Sequence, residues 1–556
     1  MRYIFLIPFA LLFSNLRSQK ADPISGKPKL VVGIVVDQMR QEYLYRYWQK
    51  FGEGGFKRLI GEGYMLTNAH YNYVPTVTGP GHASIYTGAT PAIHGIIAND
   101  WYDKNAKRKI NCVTDDKQKI VGGDKGRGNV SPWQLLTTTV TDELELATQR
   151  RAKVIGISIK DRGAVLPAGH AADGAYWYDE LTGKFISSTY YKAALPVWLE
   201  QFNSLNLPDK YLNQTWQTIY PIEQYKESGP DDSPYESVLT DDWKVVGKEK
   251  AVFPYDLKQL RKENREYALL PFTPFGNDLI RDLAFAALNG EEMGKDEWTD
   301  FLSISFSSTD KLGHAVGSYS VEVEDMFIRL DKNLEEILNK LDKDLGKGQY
   351  IVFLTSDHGV ADVRQQLKDL KIIPQEYEPI NFATKLTSYL DSYYPGKNII
   401  ENVSNEQIFL NHDSFGLDPK SSSIEYMVIS ELIRSYLITL DGVSEVYTKS
   451  AIQNSNFDEE GMRGKVKRGF HPKRSGDLAI IVESGWTDES GLEKAGHSTG
   501  YTYDTNVPMI FYGFGIRQGV TANYHAITDI APTISTLLKI KFPSGSTGQP
   551  ITELLK

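Results

Sequence analysis

Asp357 and His358, in Ser-Asp-His-Gly, follow directly on the apolar run Tyr350–Thr355 and set a carboxylate beside an imidazole. Neighbours within a strand point to opposite faces. Just past a strand's carboxyl end, where the backbone turns, both can converge on one cation. A carboxylate with an imidazole is a zinc-type ligand pair. Asp310 and His314 are four residues apart, so a single helical turn presents both on one face. Asp37, closing the apolar run 29–36, and His497, in Gly-His-Ser-Thr-Gly, complete three carboxylates and three imidazoles. That is enough for two ions. Two divalent cations about 4 Å apart can hold both the attacking and the leaving oxygen of an in-line displacement.

A nucleophile for such a displacement stands in Val-Pro-Thr-Val-Thr78-Gly-Pro-Gly-His. Gly79-Pro80-Gly81 reads as a turn into a helix, with Pro80 suited to its first turn. Thr78 then lies at a helix N-terminus, where free N–H groups favour an anion. A threonine hydroxyl attacks poorly until its pKa is lowered; alone, Thr78 would read as an N-cap. Lys160 and Arg162 follow the apolar run 153–159 and, on a strand's extension, would share one face. Arginine offers a planar fork matched to phosphoryl oxygens and lysine a point charge, although isolated surface charges are commonplace. Asn99, after His-Gly-Ile-Ile-Ala, can donate to a phosphoryl oxygen or serve as a turn residue.

These groups need a scaffold that gathers strand ends. Apolar runs at 29–36, 153–159, 301–306, 350–354, 478–482 and 507–511 suit strands covered on both faces, as in a helix-sheathed parallel sheet. Residues 322–341 alternate charged and apolar positions at helical spacing. A second helix is expected over 528–538, opening on a cap-type threonine with proline in its first turns. The expectation is a three-layer α/β fold around a mostly parallel sheet. Two stretches, about 168–270 and 365–474, break the rhythm and read as cap segments inserted into one catalytic domain over 20–556.

The net charge of −10 and the absence of any Lys/Arg cluster argue against a nucleic-acid partner. A short charged start and the apolar stretch 4–13 form a signal peptide, expected over 1–19. That stretch is too short to span a bilayer. Cys112 is the only cysteine, so neither an internal disulfide nor a cysteine-rich zinc site is open to the chain. His82, His94, His170 and His471 lack ligand-type partners at useful spacing and read as structural.

Asp37, Val-Pro-Thr-Val-Thr78, His94-Gly-Ile-Ile-Ala-Asn99, Asp310-x-x-x-His314, Ser-Asp357-His358-Gly and Gly-His497 occur in an order that resembles the alkaline phosphatase superfamily. Lys160-x-Arg162 makes the chain most similar to its periplasmic PafA-type alkaline phosphatases. The resemblance spans about residues 28–540. It implies an alkaline-phosphatase-like core and two zinc ions. Asp310, His314 and His497 would bind one, on the leaving-group side. Asp37, Asp357 and His358 would bind the other, which also coordinates Thr78 and lowers its pKa. It further implies attack by Thr78, a phospho-threonine hydrolysed by water, and a clamp of Asn99, Lys160 and Arg162 on the non-bridging oxygens. The expected protein is an exported, periplasmic or secreted monomer acting on small phosphate monoesters and releasing inorganic phosphate.

A phosphodiesterase or nucleotide pyrophosphatase of the same superfamily is the alternative. An exported binding protein with a structural metal site is a more distant one. Cys112 lies outside any sulfatase-type motif, and the leader opposes a cytosolic mutase.

Overall fold

Leu-Val-Val-Gly-Ile-Val-Val suits a strand sheathed on both sides, and strand β1 (Leu30–Val36) is buried along its whole length. It lies at the centre of a ten-stranded sheet in a computed structural model that describes residues 26–124, 126–236, 250–374, 381–414, 424–486 and 495–556. The expected leader lies outside the described residues.

The other strands are β2 (Tyr64–His70), β3 (Ile120–Val121), β4 (Val154–Ser158), β5 (Gly174–Asp179), β6 (Lys184–Ser188), β7 (Asp300–Phe306), β8 (Tyr350–Thr355), β9 (Met509–Gly513) and β10 (Gly519–Ala526). Their order is β10-β2-β9-β8-β1-β7-β4-β5-β6-β3. The central five, β8-β1-β7-β4-β5, are parallel. β9 runs antiparallel to both β8 and β2. Register aligns the carboxyl ends: Val36 faces Phe306, Val35 faces Thr355, and Ser305 faces Ser158. The residues that follow therefore emerge in one row, where open α/β sheets place their ligands. Aliphatic clusters cover both faces of the sheet.

Four helices matter to the site: α1 (Thr78–Thr87), α2 (Asp161–Ala168), α3 (Ser308–Val316) and α4 (Val321–Leu345). All ten residues of α1 are buried. A Cβ at Gly81 would lie 2.3 Å from the carbonyl oxygen of Asp357, so only glycine lets α1 approach the end of β8 so closely. The helix α4 starts where expected, with the Ser320 hydroxyl accepting from Val323 N–H. The helix expected from 528 begins as a 3₁₀ turn at Ile527–Asp529 and turns α-helical at Ile530–Leu538.

Two expectations are corrected. Leu478–Val482 is not in the central sheet. It pairs antiparallel with Gln407–Leu410 and Val443–Thr448 in a separate four-stranded sheet, completed by Ile400–Ser404. An unbroken apolar run looks the same in either setting. Here it is covered by the sheet's own cluster, including Leu386, Leu390, Ile429 and Ile433. Lys160 and Arg162 are not on a strand extension either: β4 stops at Ser158, Lys160 occupies the N-cap position, and Arg162 lies in the first turn of α2. The stretch 168–270 contributes β5 and β6 to the central sheet before leaving it.

Candidate active site

Ten side chains singled out from the sequence stand at or just beyond this row of strand ends. Asp37 follows β1, and Asp357 and His358 follow β8. Asp310 and His314 project from α3, and Thr78 opens α1. His497 sits on the loop before β9. Asn99 lies in the turn after Pro91–His94, and its Oδ1 accepts the Gly79 N–H at 2.7 Å, which directs its NH₂ group away from α1.

His314 Nε2 lies 3.1 Å and His497 Nε2 3.6 Å from Asp310 Oδ1, with ligand atoms of all three residues inside one 4.8 Å cluster. Asp37, Asp310 and His358 form a second such cluster. His358 Nε2 is 3.5 Å from Asp37 Oδ1 and 3.6 Å from Asp357 Oδ2. Asp310 thus takes part in both sets.

The imidazoles are aimed by the main chain. His314 Nδ1 lies 2.8 Å from Ala495 O, His497 Nδ1 2.8 Å from Thr76 O, and His358 Nδ1 2.9 Å from Gly359 O. A carbonyl only accepts, so each Nδ1 carries a proton and each Nε2 faces the site, where its lone pair serves a cation once that nitrogen is deprotonated.

Lys160 Nζ bridges the clusters, 2.7 Å from Asp37 Oδ2 and 2.5 Å from Asp310 Oδ2, and stands 3.4 Å from Thr78 Oγ1. The first turn of α2 adds Arg162, whose buried Nε has no hydrogen-bond partner and whose charge acts on Asp37 and Asp310.

Burial and then the neighbouring Asp37 push the Asp357 carboxyl well above its usual range. Burial and then His497 push His358 well below its own. Burial would also raise Asp310, but His314 and Lys160 outweigh it and hold that carboxyl well below the ordinary value. Burial works against the Lys160 ammonium, yet Asp310 and Asp37 raise it above the ordinary lysine value. Both oxygens of Asp37, one oxygen of Asp357 and His358 Nε2 are buried without a hydrogen-bond partner, although Lys160 forms an ion pair with Asp37. Such groups are tolerated when they coordinate cations. Nitrogen and carboxylate donors with no thiolate fit zinc.

Two residues here escaped sequence reasoning. His82, read as structural, has Nδ1 2.9 Å from Thr78 O and 3.4 Å from Asp357 Oδ2, and Nε2 2.9 Å from Ser305 Oγ. Its place one turn after Thr78 was the available signal. Gln38 adjoins Asp37 and contacts both Asp310 and Asp357. His94 meets the structural expectation, bonding Ser84 within the core.

Residues 31–505 match the type I phosphodiesterase / nucleotide pyrophosphatase family. The chain is 43% identical to alkaline phosphatase PhoV of Synechococcus elongatus, over 96% of this chain and 94% of that protein. It is 41% identical to alkaline phosphatase PafA of Elizabethkingia meningoseptica, over 99% and 98%. The crystal structure of wild-type PafA superposes with a TM-score of 0.89 at 42% identity, covering 95% of this chain and 99% of that one. The chain therefore belongs to the type I phosphodiesterase / nucleotide pyrophosphatase family, and within it resembles the PafA-type alkaline phosphatases in sequence and in fold.

Proposed function

We propose that the protein is an exported alkaline phosphatase that hydrolyses phosphate monoesters through a phospho-threonine on Thr78. The observation that carries this reading is Thr78 at the buried start of α1, beside the Lys160 ammonium that itself pairs with Asp37 and Asp310 of the two ligand sets. The names of the relatives PhoV and PafA support it.

In this reading Asp310, His314 and His497 hold one zinc ion, and Asp37, Asp357 and His358 the other. Bound zinc would supply positive charge at the entering and departing oxygens and lower the pKa of the Thr78 hydroxyl. The chain does the rest. The N-terminus of α1 favours the phosphoryl anion, and its buried walls exclude water. Thr78 Oγ1 attacks phosphorus, the bond to the ester oxygen breaks, and water later cleaves the phospho-threonine to inorganic phosphate.

Asn99 NH₂, Lys160 and the Arg162 fork meet the non-bridging oxygens. A monoester dianion presents more charge there than a diester, so these cations favour monoesters. The residues about 365–474, which supply three of the four strands of the separate sheet, form a cap over the core, and residues 1–19 direct export. Among the described residues no helix is long and apolar enough to cross a membrane.

The test compares turnover of an aryl phosphate monoester with that of its methyl diester, with zinc and with chelator. Chelator-sensitive turnover strongly favouring the monoester is expected, and Arg162→Ala should narrow the preference by at least about tenfold, as loss of a bidentate charged contact implies. A native preference for the diester would instead make the protein a phosphodiesterase of the same family.

A further inference from the structure

Gln38 adopts φ 66°, a left-handed conformation uncommon for a residue with a side chain, and it is buried there with donors engaged on two sides. The surroundings here are the two ligand sets. Its peptide N–H donates to Asp357 Oδ1 at 3.2 Å, and its side-chain Nε2 donates to Asp310 Oδ1 at 2.9 Å. A carboxylate only accepts, so the amide must present its NH₂ to Asp310. Gln38 Oε1 then lies against α3 at Gly313, where an added Cβ would meet it at 2.1 Å.

The geometry is selective between the two oxygens of Asp310. Lys160 Nζ holds Oδ2. Gln38 holds Oδ1, the oxygen approached by His314 and His497. Without the Gln38 donor, only the His314 and His497 imidazoles would remain against Oδ1, while Lys160 still draws the carboxylate towards the ammonium.

We infer that Gln38 is a positioning residue that couples the two ligand sets, its side chain orienting Asp310 for the His314–His497 set and its peptide nitrogen holding Asp357 for the other. The inference rests on the two-metal reading above. Losing a partner that orients a ligand in this way costs about 10- to 100-fold in metal affinity or activity.

The test titrates full-length native protein, Gln38→Met and Gly313→Ala with zinc against a chromophoric chelator, and follows thermal unfolding of each metal-free protein. Methionine keeps the length of the side chain and removes the donor; alanine at 313 displaces the amide from the other side. The native protein should hold two equivalents. Each variant should hold one equivalent as the native protein does and the second about 10- to 100-fold more weakly. The metal-free unfolding temperature of Gln38→Met should match the native one, and excess zinc should restore its turnover.

Two equivalents held by Gln38→Met within about twofold of native would overturn the inference alone. So would equal weakening of both together with a lower metal-free unfolding temperature, which would make Gln38 a folding residue. Fewer than two equivalents on the native protein would overturn the two-metal reading, and this inference with it.

Discussion

At the scale of single residues, the Thr78 hydroxyl is the group on which the proposed chemistry turns. Its Oγ1 lies 3.4 Å from Lys160 Nζ, and its carbonyl is held by His82 one turn on. Thr78→Ser keeps a hydroxyl at the same place and should retain turnover. Thr78→Ala should lower kcat/KM at least about a thousandfold, because a nucleophile's loss is seldom compensated by the residues it works with. Acid-quenched enzyme should carry labelled phosphate in the native and Thr78→Ser proteins and none in Thr78→Ala. Label persisting in Thr78→Ala would assign the nucleophile elsewhere. What the sequence disclosed at this scale were groups close together along the chain: Asp357 with His358, and Asp310 with His314. Gln38 meets Asp310 across 272 positions and Asp357 across 319, and only the fold could join them.

At the scale of elements, apolar runs disclosed strands but not their neighbours. Leu478–Val482 is as apolar as β8, and pairing alone assigns it to the smaller sheet. The break between β4 and α2 was hidden for a similar reason, since Lys-Asp-Arg carries no strong stop for a strand and no side-chain cap bond for the helix.

Elements also differ in what their burial costs. Glu145, in the helix Val140–Thr148, is buried with one carboxyl oxygen unpaired, and burial, reinforced by Asp173, raises its pKa to about 8. Below its ordinary value of 4.5 the group is neutral in folded and unfolded chains alike. Between that and about 8 only the unfolded chain ionises, so stability falls as pH rises, then levels off once both forms are charged. Glu145→Gln removes this dependence. Its unfolding temperature should exceed the native one by a margin that widens from pH 5 to pH 9, and thermal scans at both values would show it. A margin constant with pH would mean that Glu145 is already ionised in the folded protein.

At the scale of the whole molecule, the parallel centre of the sheet delivers chemistry from residues 37 to 497 into one buried locus. The six-motif order made this fold legible, because it tracks how strand ends are collected. The course of residues 365–474 was less legible, since their contacts to the core are scattered. Arg474, for example, donates to the carbonyls of Gly95 and Gln134.

The gathered locus has an energetic consequence. Three carboxylates share buried space with Lys160 and Arg162, so bound cations should stabilise the fold as well as the reaction. Each site filled at a thousandfold over its Kd adds about 4 kcal/mol. Chelation should therefore lower the unfolding midpoint by several degrees, reversibly on adding zinc, as calorimetry would record. An unchanged midpoint would mean that the ligands bind no cation tightly in the native state.

The three imidazoles that face the site take their aim from carbonyls at positions 76, 359 and 495. Every amino acid supplies that carbonyl. The side chain at each position is thus not what fixes the tautomer, and selection on histidine geometry acts through the backbone path of each loop; position 359 must stay glycine for that path, since a Cβ there would meet Tyr503 O at 2.1 Å. The aim of each histidine is therefore as robust as the packing of its own loop, with no partner side chain to add a second point of failure.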